Sequence, residues 1–150
     1  MYRDTITLFN RYDAGSDDLW FPTVLENVDL NVDKASIIAK YGENATDNAR
    51  LHIRCEIRED EAVIVADKRY LPPKAWEAQT EAEAAASITF TGGQRFDFFI
   101  VGAWPGADPV SDAEYTDGFY NFCNRIYDYC FAVTSVAQYS VIPHFEIMAK

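Results

Sequence analysis

The side chains best suited to chemistry are few and scattered. The chain carries two histidines, His52 and His144, and three cysteines, Cys55, Cys123 and Cys130. A hydrolytic triad needs a histidine, a nucleophile and an orienting acid at one place. Cys55, Ser135 and Ser140 are possible nucleophiles, but no spacing selects among them. The histidines form neither an H-x-x-x-H nor an H-E-x-x-H pattern, the spacing that places two imidazoles on one zinc ion. His52 falls on the polar face of an alternating stretch, and His144 lies beside Pro143, on the opposite strand face from Phe145. Both read as solvated or hydrogen-bonded side chains. The odd, widely spaced cysteines do not resemble a disulfide framework, and Cys123 and Cys130 read as small buried apolar groups. Asp108, Asp112, Glu114 and Asp117 gather in one segment. They are too loosely spaced for a calcium loop and lack its closing glutamate, so they read as a solvated acidic loop. Gly92-Gly93 lacks the longer pattern of a phosphate loop and reads as a turn. The expectation is no catalytic set, no metal and no cofactor. A small metal-dependent hydrolase is one alternative, and it requires a concave pocket joining His52 or His144 to two or more acids.

The elements that must position these residues follow from composition and periodicity. The chain has 150 residues, of which 49% are hydrophobic and 15% aromatic. That suffices for one domain, residues 1–150, with a hydrophobic core. The formal net charge of −11 disfavours nucleic acid and anionic membrane surfaces, which both call for basic patches. No stretch approaches the roughly 20 apolar residues of a membrane span, and Met1–Asp4 does not open a signal peptide.

Thr5–Phe9 alternates as a first strand, and Asn10–Leu19 reads as a loop. Trp20–Leu25 is strand-like, with Pro22 pointing to an edge or bulge, and Val28–Val32 alternates again. Asp33–Gly42 reads as a short helical or looped piece and Glu43–Asn48 as a polar loop. Ala49–Ile57 is the clearest half-buried strand. Val63–Val65 is a short strand, and Tyr70–Trp76 is a proline elbow that turns Trp76 onto the core. Thr80–Ala86 predicts a short surface helix or loop, Ser87–Phe90 a strand and Phe96–Val101 a strand covered on both faces. Gly102–Ser111 reads as a long excursion. From Thr116 the period becomes helical, with Phe119, Phe122, Cys123, Ile126 and Cys130 on one face and Asp117 near the N-terminus. Phe131–Val136 and Tyr139–Ile147 close the chain, the latter with Val141, Pro143, Phe145 and Ile147 on one side. The fold class is mainly β, a β-rich α+β chain built as a small antiparallel barrel or sandwich with one main packed helix.

Large rings remain as candidates for contact. Trp20, Tyr70, Trp76, Trp104, Tyr115 and Tyr120 fall in or beside loops rather than mid-strand. Such rings can anchor neighbouring subunits.

Several segments carry a family resemblance. They are Thr5–Asn10, Trp20 with Thr23–Leu25 and Val28, and Tyr70–Trp76. Asp97–Phe99 with Gly102 and Trp104 follow, then Gly118–Tyr120, Tyr127-Asp128, Phe131–Val136 and Tyr139–Ile147. The chain resembles small virion proteins of tailed phages and prophages of Firmicutes, of the minor capsid or head–tail connector type. It departs from them at Ala103, where an acid is usual, and in the alanine-rich segment 78–86. The resemblance implies a non-catalytic stopper or adaptor ring subunit at the head–tail junction. Its partners would be portal, adaptor or tail proteins of the same phage, with a possible homo-oligomeric ring on assembly. Its place would be the virion neck, and the host bacterial cytoplasm before assembly. A tail-completion or tail-terminator protein is the other alternative.

Overall fold

Residues that alternate between apolar and polar bury one face when extended, and most of this chain is written that way. The structure is a computed structural model that describes residues 2–32 and 48–150. The expected helical piece at 33–42 and most of the loop after it lie outside the described residues. The first half of the chain supplies β1 (Asp4–Asp13), β2 (Asp18–Val32) and β3 (Ala49–Arg54), then the short β4 (Glu56–Ile57), β5 (Val63–Val65) and β6 (Lys68–Tyr70). Two short helices, α1 (Pro73–Glu77) and α2 (Glu81–Ala84), precede β7 (Ser87–Ile88). The rest is β8 (Phe98–Val101), β9 (Val110–Ser111), α3 (Phe119–Ile126), β10 (Cys130–Tyr139) and β11 (His144–Ala149).

Six of these strands close into an antiparallel barrel, in the order β1-β8-β10-β11-β3-β2, with β2 pairing back onto β1. The closure depends on the length of β2. Its first part pairs with β1, and Asp29–Val32 pair with β3. A bulge separates the two parts. From Asp4 to Ile6 β1 advances two positions while β2 advances three, from Val28 to Leu25. Asn27 sits in the bulge at φ 56°, in the left-handed region that asparagine tolerates better than most residues. Pro22 stands opposite Phe9 of β1, in a stretch between the β9 and β3 pairings where no second strand flanks β2. It therefore costs no ladder bond on that side.

The inward faces meet in one apolar cluster built on Ile6, Leu8, Leu25, Leu51, Ile53, Phe99, Phe131, Phe145 and Ile147. Val65, Ile88 and Phe90, from in and around the second sheet (β4-β5-β6-β7), join it. A barrel this narrow is filled by its own side chains. Beyond it, Trp76 of α1 packs edge-on against Tyr12 and Phe21, at 5.6 and 6.0 Å between ring centroids. The proline elbow thus returns Trp76 to a core, as expected. Thr80 and Glu83 form a reciprocal capping box on α2, which satisfies two backbone donors of that short helix.

The outer side of β1 and β8 carries α3. Phe9, Phe98, Ile100 and Cys130 pack against Phe119 and Cys123 of the helix. This narrows the expected helical face. Ile126 is 56% exposed, and Cys130 has already entered β10, because the helix stops eight residues after it begins. Among the described residues no helix is long and apolar enough to cross a membrane.

Two expectations about the ends of strands fail for one reason. Hairpin pairing extends β1 and β2 through most of Asn10–Leu19, leaving only a tight turn before Asp18. Tyr139–Ile147 is not a single strand, because β10 turns back into β11 between Tyr139 and His144. Val141 therefore does not share a face with Phe145 and Ile147. Main-chain pairing, which periodicity does not report, decides where a strand turns.

The 91–97 loop presses against β10 through glycine. A Cβ at Gly92 would stand 2.5 Å from the carbonyl oxygen of Thr134, whereas Gly93, at φ +92°, faces open space. Gly92→Ala is expected to cost about 2–3 kcal/mol through forced displacement of β10. Gly93→Ala should cost only about 1–2 kcal/mol of backbone strain. Urea unfolding of the two variants checks the order.

Candidate functional site

On β3 the period of two turns Leu51 and Ile53 inward and leaves His52 outside. The same rule on β11 buries Phe145 and Ile147 and leaves His144 and Glu146 outside. Register then brings these outward groups together. His52 lies directly opposite Glu146 on one side and Asp29 of β2 on the other. His52 Nε2 is 3.3 Å from Glu146 Oε1, and His144 Nε2 is 3.6 Å from the same oxygen. Asp29 Oδ2 is 4.0 Å from His52 Nδ1. The two imidazole centroids are 5.9 Å apart. Each histidine lies on a polar face as expected, yet the two share one carboxylate, which the spacing did not foretell. The sequence signal was the alternation of both strands; the missing information was their pairing.

This face is an open surface, not a deep cleft. A shallow depression beside His52 is lined by Asn31, Asn48, Arg50 and Met148. Among the described residues no group of three or more His, Cys, Asp or Glu side chains could hold a metal ion.

His144 also roots the β10–β11 hairpin. Its ring stacks on Tyr139 at 4.8 Å and 8°, and its Nδ1 lies 2.7 Å from the carbonyl oxygen of Ile142. Pro143 O accepts from Cys55 N at 3.2 Å. Above this base Val141 is 96% exposed and Ile142 77%. Two large apolar side chains thus stand in solvent on an anchored turn.

The six rings expected to make contacts do not form one surface. Trp20 and Trp76 are each 1% exposed and are core residues, which corrects their placement among surface contacts. Trp20 packs on Phe98 at 4.9 Å and donates through Nε1 to Asp112 Oδ1 at 3.0 Å. Half-buried Tyr70 lies against Phe145, while Trp104, Tyr115 and Tyr120 surround α3. Expected loop position did not imply exposure, because Trp20 lies in β2, Tyr70 in β6, Trp76 in α1 and Tyr120 in α3.

The acidic loop is likewise more than a solvated run. Asp112 accepts from Trp20 and also from the backbone N–H of Phe119 at 2.8 Å. Asp112, and not Asp117, accepts from the helix N-terminus, while the Asp117 carbonyl accepts from Asn121 Nδ2 at 2.7 Å. Asp17 accepts from Ser111 Oγ and from Ala113 N. The cysteines stand as free thiols. Cys123 and Cys130 are buried, and burial pushes the Cys123 thiol up to about 12, so it is protonated at neutral pH.

One titratable group escaped the sequence reading. Asp97 lies within the apolar run 96–101 and is fully buried, accepting from Arg11 N (2.9 Å), Thr91 N (2.7 Å) and Asn10 Nδ2 (2.9 Å). Desolvation outweighs these three donors and raises its pKa to about 7. Asn10 Nδ2 also donates to Thr89 O at 2.6 Å. The network ties β1 to the segment 89–97.

The fold and this face define a small, closed, side-chain-filled β-barrel with a histidine–carboxylate surface and an apolar hairpin tip. Over residues 1–150 the chain matches the model of DUF6751, a family of unknown function, and it belongs to that family. No curated protein and no solved structure matches it.

Asp97 makes stability depend on pH with a definite sign. Its pKa rises from 3.8 to about 7 on folding. The folded state therefore holds a proton that the unfolded chain releases in this window, and stability falls as pH rises through it. Urea titrations at pH 5 and pH 7 should show Asp97→Asn removing a downward slope of up to about 1.4 kcal/mol per pH unit. A wild-type slope equal to that of the variant would refute the assignment.

Proposed function

We propose that this chain is a structural, non-catalytic assembly subunit that docks through the β10–β11 hairpin. More finely, it is a stopper or adaptor ring subunit at a phage head–tail junction. The finer reading is supported by the resemblance carried by Thr5–Asn10, Tyr70–Trp76 and the final thirty residues. The observation that carries the contact role is the exposure of Val141 and Ile142 on a turn held by His144, Tyr139 and Cys55. Apolar side chains on a preorganised support lose little entropy when they seat in a partner. The net charge of −11 suits a neighbour with a basic face and speeds encounter with it. It also keeps separate copies apart before assembly. On this reading the partners are portal, adaptor or tail proteins, and the site of action is the virion neck.

A metal-dependent hydrolase is the second reading, favoured by the carboxylate that His52 and His144 share. Against it stands the open surface around that group.

Co-sedimentation with separately purified portal rings and tail-tube protein from the same gene block tests the leading reading. Binding to the portal supports a stopper or adaptor; binding to the tail tube alone moves the assignment to a tail-completion protein. The double variant Val141→Asp, Ile142→Asp should weaken the association at least about 30-fold while leaving the unfolding midpoint unchanged. Undiminished association of the double variant would remove the hairpin from the interface.

A further inference from the structure

β10 outruns the ring of strands that it helps to close. It is ten residues long, but β8 pairs only with Cys130–Ala132 at its start. The 91–97 loop takes over as far as Thr134, through Val133 N donating to Asp97 O at 2.9 Å and the close approach of Gly92. From Ser135 to Tyr139 the strand has β11 on one side and, among the described residues, no strand on the other. Ala137, Gln138 and Tyr139 are all exposed, so both faces of this end reach solvent. Natural strand edges are commonly guarded by lysine, proline or a bulge. Ser135-Val-Ala-Gln-Tyr139 carries no charge and no proline. The irregularity in the β10–β11 ladder falls before it, between Val133 and Ser135.

We propose that this edge pairs with the same edge of a second copy of the chain, antiparallel about Ala137, to form a two-fold dimer. The register itself selects a second copy. Pairing about Ala137 sets Ala137 against its own copy, Gln138 against Val136 and Tyr139 against Ser135, so no like charges stand opposite each other. The acid beside Ala137 on β11 is Glu146. Its two copies lie three strand spacings apart, about 14 Å, beyond the screening length of about 8 Å at physiological salt. Continued along the strand, the same register carries Val141 and Ile142 of one copy to the level of Val133 and Ala132 of the other. There the surface is a depression with apolar walls from Phe96, Tyr120, Ala132 and Val133. It receives the two side chains that stand exposed on the free turn. Pairing is also self-limiting, because each edge is used once and the assembly closes at two copies. The net charge of −11 opposes encounter at longer range, so the dimer tightens as salt rises. The inference goes beyond the portal reading and does not depend on it.

Sedimentation equilibrium of the full chain from about 10 µM to about 1 mM, in about 50 and about 300 mM sodium chloride, tests this. A monomer–dimer equilibrium with nothing larger is expected, at least about threefold tighter at the higher salt. Ala137→Lys should weaken it at least about tenfold, since it sets two ammonium groups opposite each other. Cross-linking reads the register without relying on that variant. In a Cys55→Ser background, Ala137→Cys should oxidise with diamide to a covalent dimer, because residues opposite each other in a ladder stand within disulfide reach. Ser140→Cys in the same background should stay monomeric, because its two copies would stand about 20 Å apart along the strands. A monomer at every concentration and salt, assembly beyond two copies, a dimer untouched by Ala137→Lys, or cross-linking at Ser140→Cys as efficient as at Ala137→Cys would each overturn the proposal.

Discussion

The pairing of one fifteen-residue strand with two partners is the constraint from which the rest of the molecule follows. β2 runs beside β1, bends at the Asn27 bulge and then runs beside β3, which closes the sheet on itself. Closure removes the free strand edges that would otherwise invite other chains. It also assigns every strand residue to an inside or an outside. Inside, Phe99, Phe131 and Phe145 pack in the barrel core. Outside, each sector of the wall takes its own load. One sector supports α3, and another carries the polar face of His52, Glu146 and His144.

Buried acids fasten the parts that strand pairing does not reach. Asp97 gathers two backbone amides and an asparagine amide, so one side chain satisfies several groups that would otherwise be buried without partners. Asp112 does the same between Trp20 and the start of α3. Both acids lie in or beside loops, and each joins segments more than ninety or eighty residues apart to β1 or β2. They hold positions that local propensity leaves open. In Asp97, the cost of desolvation shows itself as a carboxyl group reluctant to ionise.

The hairpin gathers the features that point toward contact. Its strands belong to the barrel wall, its base is held by a stacked ring pair, and its tip exposes Val141 and Ile142. A support of this kind presents apolar area without a large ordering cost. The histidine–carboxylate group at its base links surface chemistry to the same element. His144 and Glu146 lie on β11, and His52 meets them from β3.

Alternation of apolar side chains was enough to read a mainly β barrel or sandwich, the strands around Leu51, Phe99 and Phe131, the packed helix and the return of Trp76 to the interior. These are local quantities, since a period of two or of 3.6 is carried by neighbours in the chain. The closed ring, the turn at Val141–Ile142, the burial of Trp20 and the convergence of His52 with His144 depend on register between strands distant in sequence. A histidine at 52 and another at 144 reveal nothing about each other until Ile53 is set opposite Phe145. The same holds for Asp97, whose buried place is defined by donors at 10, 11 and 91. Periodicity therefore determined the inward face of strands such as β3, and tertiary pairing decided where strands turn and which outward residues meet, because contact across a sheet is a property of register and not of spacing along the chain.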